Sequence, residues 1–444
     1  MESQIGYERL FDPQDIFFST TDLKGVIQNT NRTFDMLSRY SRDRLIGAAH
    51  NIIRHLDMPA GLFRLMWDDL QANRPVCAYV TNRAVDGLDY RVFATVVPLR
   101  EGYLSVRIKP MDTATRTAAE DAYRRVRAKE RQLASRAASR HQIGEYGAGE
   151  LAGELRSLGY GSLQDMTLAS LPREVASLVS AGVRVPAVAP EAMGPVARIL
   201  NTVASIERDT NALVFELDEY MRLITTMEST HASVAGVQGR ISRIGQLVSL
   251  ESGAAARTKA QVLAERIAEL AQAANTELSG LPNRLSTMHD AVTQLRFAVA
   301  LMRLLTLMVG RFAHSILDGS EEDAVHSLTD LCEALESGFA GLTPVLRSVS
   351  TQVGQLDDSL RTVTSSLDRA ARRLGQWVDV RGGGEAASGS AVVDEVAGLT
   401  AQGFPEVRSL AQLAAECRGL ALHYDATATE QRLMEIRRSL AELR

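Results

Sequence analysis

Lysine is almost missing from this chain. Lys24, Lys109, Lys129 and Lys259 are the only four among 49 cationic residues, and the rest are arginines. Such a bias reads as codon composition rather than function. Together with 54 Asp and Glu it leaves a formal net charge of -5, which argues against the basic surface of a general nucleic-acid binder. Cysteine is scarce as well. Cys77, Cys332 and Cys417 are scattered without a CxxC spacing, so they read as buried thiols in a reducing compartment, not as a disulfide framework.

Long apolar runs are lacking too. The most apolar stretch, "FAVALMRLLTLMVG", is interrupted by Arg303 and falls short of the about 20 residues a spanning helix needs, so no membrane span is expected. The first residues, "MESQIGYERLFDPQD", are acidic and carry no apolar core, so no signal peptide is expected. Both features point to a cytoplasmic location. Catalytic signatures are also missing: no P-loop, no Gly-x-Ser-x-Gly, no zinc spacing, no kinase signature and no flanks of a phosphoacceptor histidine. No enzyme is expected.

What is present divides unevenly. The 444 residues suffice for two or three domains, and a hydrophobic fraction of 45% is that of a protein able to bury a core. Aromatics make up only 5% and gather early, at Phe11, Phe17, Phe18, Phe34, Phe63, Trp67, Tyr79, Tyr90 and Phe93. The remainder is a helix-forming mixture of Ala, Leu, Val, Arg, Ser and Glu.

The aromatic front reads as a small sheet with helices. "DIFFSTTDLKGVIQNTN" predicts two short strands about a turn at Asp22 to Gly25. Phe34, Leu37 and Leu45 have roughly helical spacing, with Asn31 as an N-cap. A clearer helix begins at Pro59, with Leu62, Phe63, Met66, Trp67 and Leu70 on one face. Three strands follow, the first two joined at Asp86-Gly87. The order predicts an α+β domain, with helices over one sheet face and a cavity between the layers. Cys77 is expected on the pocket side, where it modulates a ligand or simply fills core.

The segment "NIIRHLDMP" crowds Arg54, His55 and Asp57 beside that cavity. Two readings of these residues stand open. They form the polar rim of a ligand pocket, or Asp57 caps the following helix, Arg54 pairs with Asp57 and His55 is a satisfied core histidine.

The run from "FFSTTDLKGVIQNTN" through "HNIIRHLDMP", "LFRLMWDDL" and "NRAVDGLDYRVF" resembles the PAS domain of the aerotaxis receptor family over about a fifth of the chain. The resemblance implies a PAS fold and a non-covalent FAD whose redox state reports oxygen or electron-transport status. It also implies that Arg54, His55 and Asp57 support flavin binding, joined by Trp67, Asn31 and Asn82. Haem, with His50 or His55 as axial ligand, is the alternative cofactor. The chain departs from the family pattern at Leu56, Val76 and Arg91, where Pro, Trp and Trp are usual.

Behind the front, "TRTAAEDAYRRVRAKERQLASR" predicts a charged helix leaving the sheet, with a stripe of Ala119, Tyr123, Val126 and Leu133. Three heptad seams follow. One runs from Val196 through Thr210, Leu217, Tyr220, Met227 and His231 to Val234, one from Leu281 to Met302, and one from Leu342 to Trp377. Turns near Gly253, Gly280-Leu281-Pro282 and Gly319-Ser320 are expected to fold them into a bundle or across a dimer. The domain expectation is a PAS sensor domain at 1–112, a charged linker helix at 113–144, and short helices with a connection at 145–195. A heptad-patterned helical bundle at 196–379, a Gly/Ser/Ala linker at 380–395 and C-terminal helices at 396–444 complete it.

The functional expectation is a PAS-based redox or oxygen sensor with a coiled-coil output, acting as a homodimer or higher assembly. The alternative is a non-catalytic helical scaffold with an empty pocket. A chemotaxis kinase–adaptor complex is the partner the resemblance implies, although residues 249–261 are only a vague echo of the family's kinase-binding tip, and the family's membrane anchor is not seen.

Overall fold

The computed structural model describes residues 8–250, 258–321, 324–382, 391–402, 405–419 and 424–443. It divides into two compact units. Unit 1 comprises Met1–Leu213, Arg296–Thr343 and Tyr424–Arg444, and unit 2 comprises Val214–Leu295 and Pro344–His423.

Unit 1 contains a PAS fold. Strands β1 (Phe17–Asp22) and β2 (Ile27–Thr30) form a hairpin turned by Gly25, whose φ of +78° suits a residue without a Cβ. Helices α1 (Arg32–Ser38) and α2 (Arg42–Leu45), a 3-10 turn at His50–Ile53 and helix α3 (Ala60–Gln71) follow. Strands β3 (Val76–Arg83), β4 (Asp89–Pro98) and β5 (Gly102–Ile108) close an antiparallel sheet of order β2-β1-β5-β4-β3.

The alternation along these strands sorts side chains onto two faces. Ser105, Arg107, Ala94, Val96, Val80 and Asn82 point toward the 3-10 turn and α3. Phe18, Cys77, Tyr79, Phe93, Leu104, Val106 and Ile108 point the other way and are buried. That second face is also covered. Helix α4 (Thr113–Ala134) leaves β5, and α5 (Arg140–Ser157) and α6 (Leu163–Ser180) follow it. On α6, the Thr167 hydroxyl accepts from the Cys77 amide at 2.9 Å. The Tyr79 hydroxyl donates to Glu174 Oε1 at 2.9 Å, and Phe18 meets Phe312 edge-on at 5.1 Å. Cys77 therefore lies on the face away from the cavity, contrary to expectation. Its thiol donates to Thr95 Oγ1 at 3.4 Å and is pushed up to about 12 by burial.

The charged helix also departs from its reading as a strut leaving the sheet. Ala119, Tyr123 and Val126 are buried, and so is Glu130. Its carboxylate accepts from the amides of Ala60 at 2.9 Å and Gly61 at 2.8 Å, so α4 returns to cap α3. Helix α5 joins them by an approach only glycine allows. A Cβ at Gly61 would lie 2.1 Å from the Gly147 carbonyl carbon, and one at Gly147 would lie 2.1 Å from Glu130 Oε1.

The long helices are α7 (Pro195–Leu250), α8 (Lys259–Leu317) and α9 (Val325–Gly382), each contributing to both units, followed by α10 (Ala391–Gln402), α11 (Pro405–Gly419) and α12 (Ala426–Ala441). The seams from Leu281 to Met302 and from Leu342 to Trp377 are buried throughout. In the first seam, Ile199 through Ile224 are buried, Val196 is half-buried, and the side chains of Met227, His231 and Val234 lie outside the described residues.

No turn forms at Gly280-Leu281-Pro282, because α8 continues through them. Burial of Leu278, Leu281 and Leu285 along one stripe outweighs the about 3 kcal/mol that an interior proline costs. A turn does form at Gly319, with φ of +74°, while Gly253 lies outside the described residues. Helix α8 is long and apolar enough to cross a membrane by length and composition, yet 78% of its most apolar window is buried within the protein. In unit 2, Trp377, Leu374, Ile267, Ile244 and Val396 form the centre of a core cluster.

Candidate functional site

A cavity of about 300 Å³ lies between the sheet, the 3-10 turn and α3. Ile53, Met66, Leu70, Val80, Ala94 and Val96 give it apolar walls. Trp67 closes one side. Its indole meets Tyr103 edge-on at 5.4 Å and stands against Gly25, where a Cβ would approach the ring to 3.1 Å. Polar groups enter from Arg54, Asn82, Ser105, Arg107, Thr21 and His50.

Arg54 reaches the cavity because the chain after the 3-10 turn pairs with β3, through a bridge between Arg54 and Asn82. Its guanidinium lies 3.8 Å from the Phe63 ring centre and donates to the Met58 carbonyl at 3.0 Å. Burial holds it down to about 10, while nearby Glu130 works to raise it. Asn82 and Ser105 are buried, and Asn82 Nδ2 and Ser105 Oγ have no hydrogen-bond partner among the described residues. Each such group costs about 1–3 kcal/mol unless something occupies the cavity.

His50 was foreseen only as an alternative ligand, and Arg107 was missed. His50 Nε2 stands 2.6 Å from Arg107 Nη2 and 3.0 Å from Ser19 Oγ. A guanidinium only donates, so Nε2 accepts and the imidazole is neutral. Burial, and then the Arg107 cation, hold His50 down to about 3, although the residue keeps some open surface where it lines the cavity.

Of the residues singled out by resemblance, Arg54, Trp67 and Asn82 line this cavity. The other three lie elsewhere. The Asn31 side chain caps α1, accepting from Phe34 N at 3.3 Å and Phe18 N at 3.2 Å, so its oxygen is already committed. His55 turns to the sheet edge, with Nε2 at 2.7 Å from Arg83 Nη2 and 3.4 Å from Asp89 Oδ2. Desolvation lowers it, with Asp89 opposing. Asp57 faces away and pairs with Arg131 on α4. It neither caps α3 nor pairs with Arg54. The cap comes from Glu130, which lies 70 residues downstream of Ala60.

Haem ligation through either histidine meets the same obstacle, since both Nε2 atoms are already engaged. Two departures from the family pattern fall off the cavity: Leu56 is 72% exposed, and Arg91 pairs with Glu8 and Glu120. A signal for Arg107 was available in the alternation of β5. Leu104, Val106 and Ile108 are its apolar set, which leaves Ser105 and Arg107 on the opposite face.

The antiparallel order β2-β1-β5-β4-β3, with helices between β2 and β3 enclosing a hollow, defines a PAS domain. Over 99 residues the sequence is 41% identical to the aerotaxis receptor of Escherichia coli, a match covering 21% of this chain and 20% of that receptor. The front is a PAS domain of the aerotaxis-receptor type, and the likeness spans only a fifth of the relative's length. No profile of a known protein family matches the chain. Among solved structures, the PAS domain of a protein from Colwellia psychrerythraea is similar at 18% identity, covering 21% of this chain and 86% of that one with a TM-score of 0.21. The RsLOV d2 variant is similar at 14% identity, covering 34% and 92%, with a TM-score of 0.22.

Proposed function

We propose that this chain is a PAS-based redox sensor that binds a flavin in the cavity between β3–β5 and α3 and passes its state to the helices behind. The observation that carries the reading is the pair of buried polar atoms, Asn82 Nδ2 and Ser105 Oγ, left without partners among the described residues beside the apolar walls of the hollow. Such atoms fit the edge of a flat heterocycle, with Trp67 and Met66 as walls and Arg54 as a fixed donor. The about 300 Å³ available suits a ring-sized group, so the adenosine end of an FAD lies outside the cavity. When bound, the flavin supplies reversible electron uptake.

The protein's own contribution is a short route from the cavity to α4. Arg54 lies in the wall, and the same loop is gripped by α4 at three points. Arg127 Nε donates to the Leu56 carbonyl at 3.0 Å, Glu130 accepts from Ala60 and Gly61, and Arg131 pairs with Asp57. A shift of Arg54 therefore biases how α4 seats, which is a population shift between two helix placements. Assembly through the helical seams and coupling to a chemotaxis kinase–adaptor complex extend this proposal.

An absorbance spectrum of the purified full-length chain tests it. Flavin bands are expected, lost in Arg54→Ala and Asn82→Ala but kept in Asp57→Ala, which lies off the cavity. A featureless visible spectrum that added FAD does not restore supports the scaffold reading instead.

A further inference from the structure

The cavity wall carries Lys24, Arg54 and Arg107, and no Asp or Glu among the described residues lining it. Two of these cations are accounted for. Lys24 is exposed, and Arg54 has Glu130 nearby. Arg107 is different. It is only 3% exposed, and all its acceptors are neutral. Nη1 donates to Ser19 Oγ at 3.1 Å and to the Ser105 carbonyl at 3.2 Å, and Nη2 donates to His50 Nε2 at 2.6 Å. The Phe34 and Phe17 rings stand 5.1 and 6.0 Å from it. They attract a cation without neutralising it. No carboxylate among the described residues acts on Arg107. A buried guanidinium is ordinarily matched by an anion, because water is no longer there to solvate it. Ser105 Oγ, on the same strand and face, is also without a partner.

We infer that the ligand of this cavity presents negative charge to Arg107, and that Arg107 is the residue selecting ligand charge. The inference rests on the flavin reading and adds a specificity determinant to it. A flavin offers such charge from two sources. One is the phosphate of the dinucleotide. The other is the ring, which becomes a monoanion on taking up two electrons and one proton, with dithionite as the electron donor in the test.

The experiment uses the full-length chain, as wild type, Arg107→Gln and Arg107→Lys. FAD and lumiflavin (the ring alone) are each offered oxidised and dithionite-reduced, and dissociation constants are read by equilibrium dialysis. Arg107→Gln is expected to weaken the charged ligand about 10- to 100-fold. Arg107→Lys is expected to recover most of that loss. If phosphate is the source, oxidised FAD weakens and lumiflavin does not. If the ring is the source, both reduced ligands weaken and oxidised lumiflavin is unchanged. Without ligand, Arg107→Gln should melt no lower than wild type, since it removes an unmatched charge.

A lower melting point with unchanged affinities makes Arg107 a merely structural arginine and overturns the inference, while the flavin reading survives. Wild type binding none of the four ligands overturns both. Wild type binding the charged forms no tighter than oxidised lumiflavin overturns the inference whether or not the variants fold.

Discussion

On one face of the PAS sheet, Asn82, Ser105 and Arg107 stand over a hollow. On the other, Phe18, Tyr79, Phe93, Leu104 and Val106 are closed in, with α6 and Phe312 of α8 against the sheet. The strands are the same, and only the alternation of side chains separates the two uses. On the filled face, helix α6 answers the Cys77 amide and the Tyr79 hydroxyl. Glu174 takes the Tyr79 hydroxyl and the amides of Met111 at 2.6 Å and Asp112 at 3.1 Å, and burial pushes its carboxyl above the usual range despite those donors. The hollow face leaves donors unanswered. One face stabilises the fold, and the other holds capacity for a ligand.

Truncation sharpens that contrast most. Phe93→Ala, on the filled face, should cost about 3–5 kcal/mol in urea unfolding of unit 1. Ser105→Ala, on the hollow face, should cost under about 1 kcal/mol without ligand and is expected to be slightly stabilising, because it deletes an unpaired hydroxyl. Trp67 and Trp377 are the only tryptophans and fall in different units, so fluorescence in a Trp377→Phe background follows unit 1 alone. Comparable losses at both positions would break the comparison.

Next in size is the joint between α3, α4 and α5. Glu130→Ala leaves two amides uncapped and should cost about 1–3 kcal/mol. Gly147→Ala should cost a similar amount through overpacking. Gly153→Ala, in the same helix with nothing within 4 Å of its added Cβ, should instead gain about 0.5–1 kcal/mol. Gly147→Ala melting above wild type would mean that the helices are not held at this distance.

Acid stability offers a further test of the hollow face, through the contact between His50 and Arg107. His50 is neutral when folded and held near about 3, so the unfolded chain binds the extra proton between pH 6.5 and about 3. Stability from this group is present above pH 6.5 and is lost as pH falls through that window. His50→Asn should flatten that part of the pH–stability curve. An unchanged acid limb would place the proton elsewhere.

Much of this was legible in order. The two-three split of the strands, the Asn31 cap, the α3 stripe and the continuous seams follow from spacing and turn chemistry, which act over a few residues. The site was legible only in part. Arg54, Trp67 and Asn82 came from a motif, yet Asn31, His55 and Asp57 of the same pattern spend their polar atoms on local and long-range contacts. Gly280-Leu281-Pro282 reads as a break, but stripe burial carried the helix across it.

The sequence by itself determined the strands and helices of the front and the heptad burial behind it, because periodicity and local hydrogen bonding are written into neighbouring positions. Tertiary structure alone decided that α4 turns back to cap α3 through Glu130, that α6 covers the second sheet face, and that Arg107 meets His50. Those partners lie 57 to 95 residues apart in the chain, and such contacts form only when burial of shared apolar surface pays the entropy of closing the loops between them.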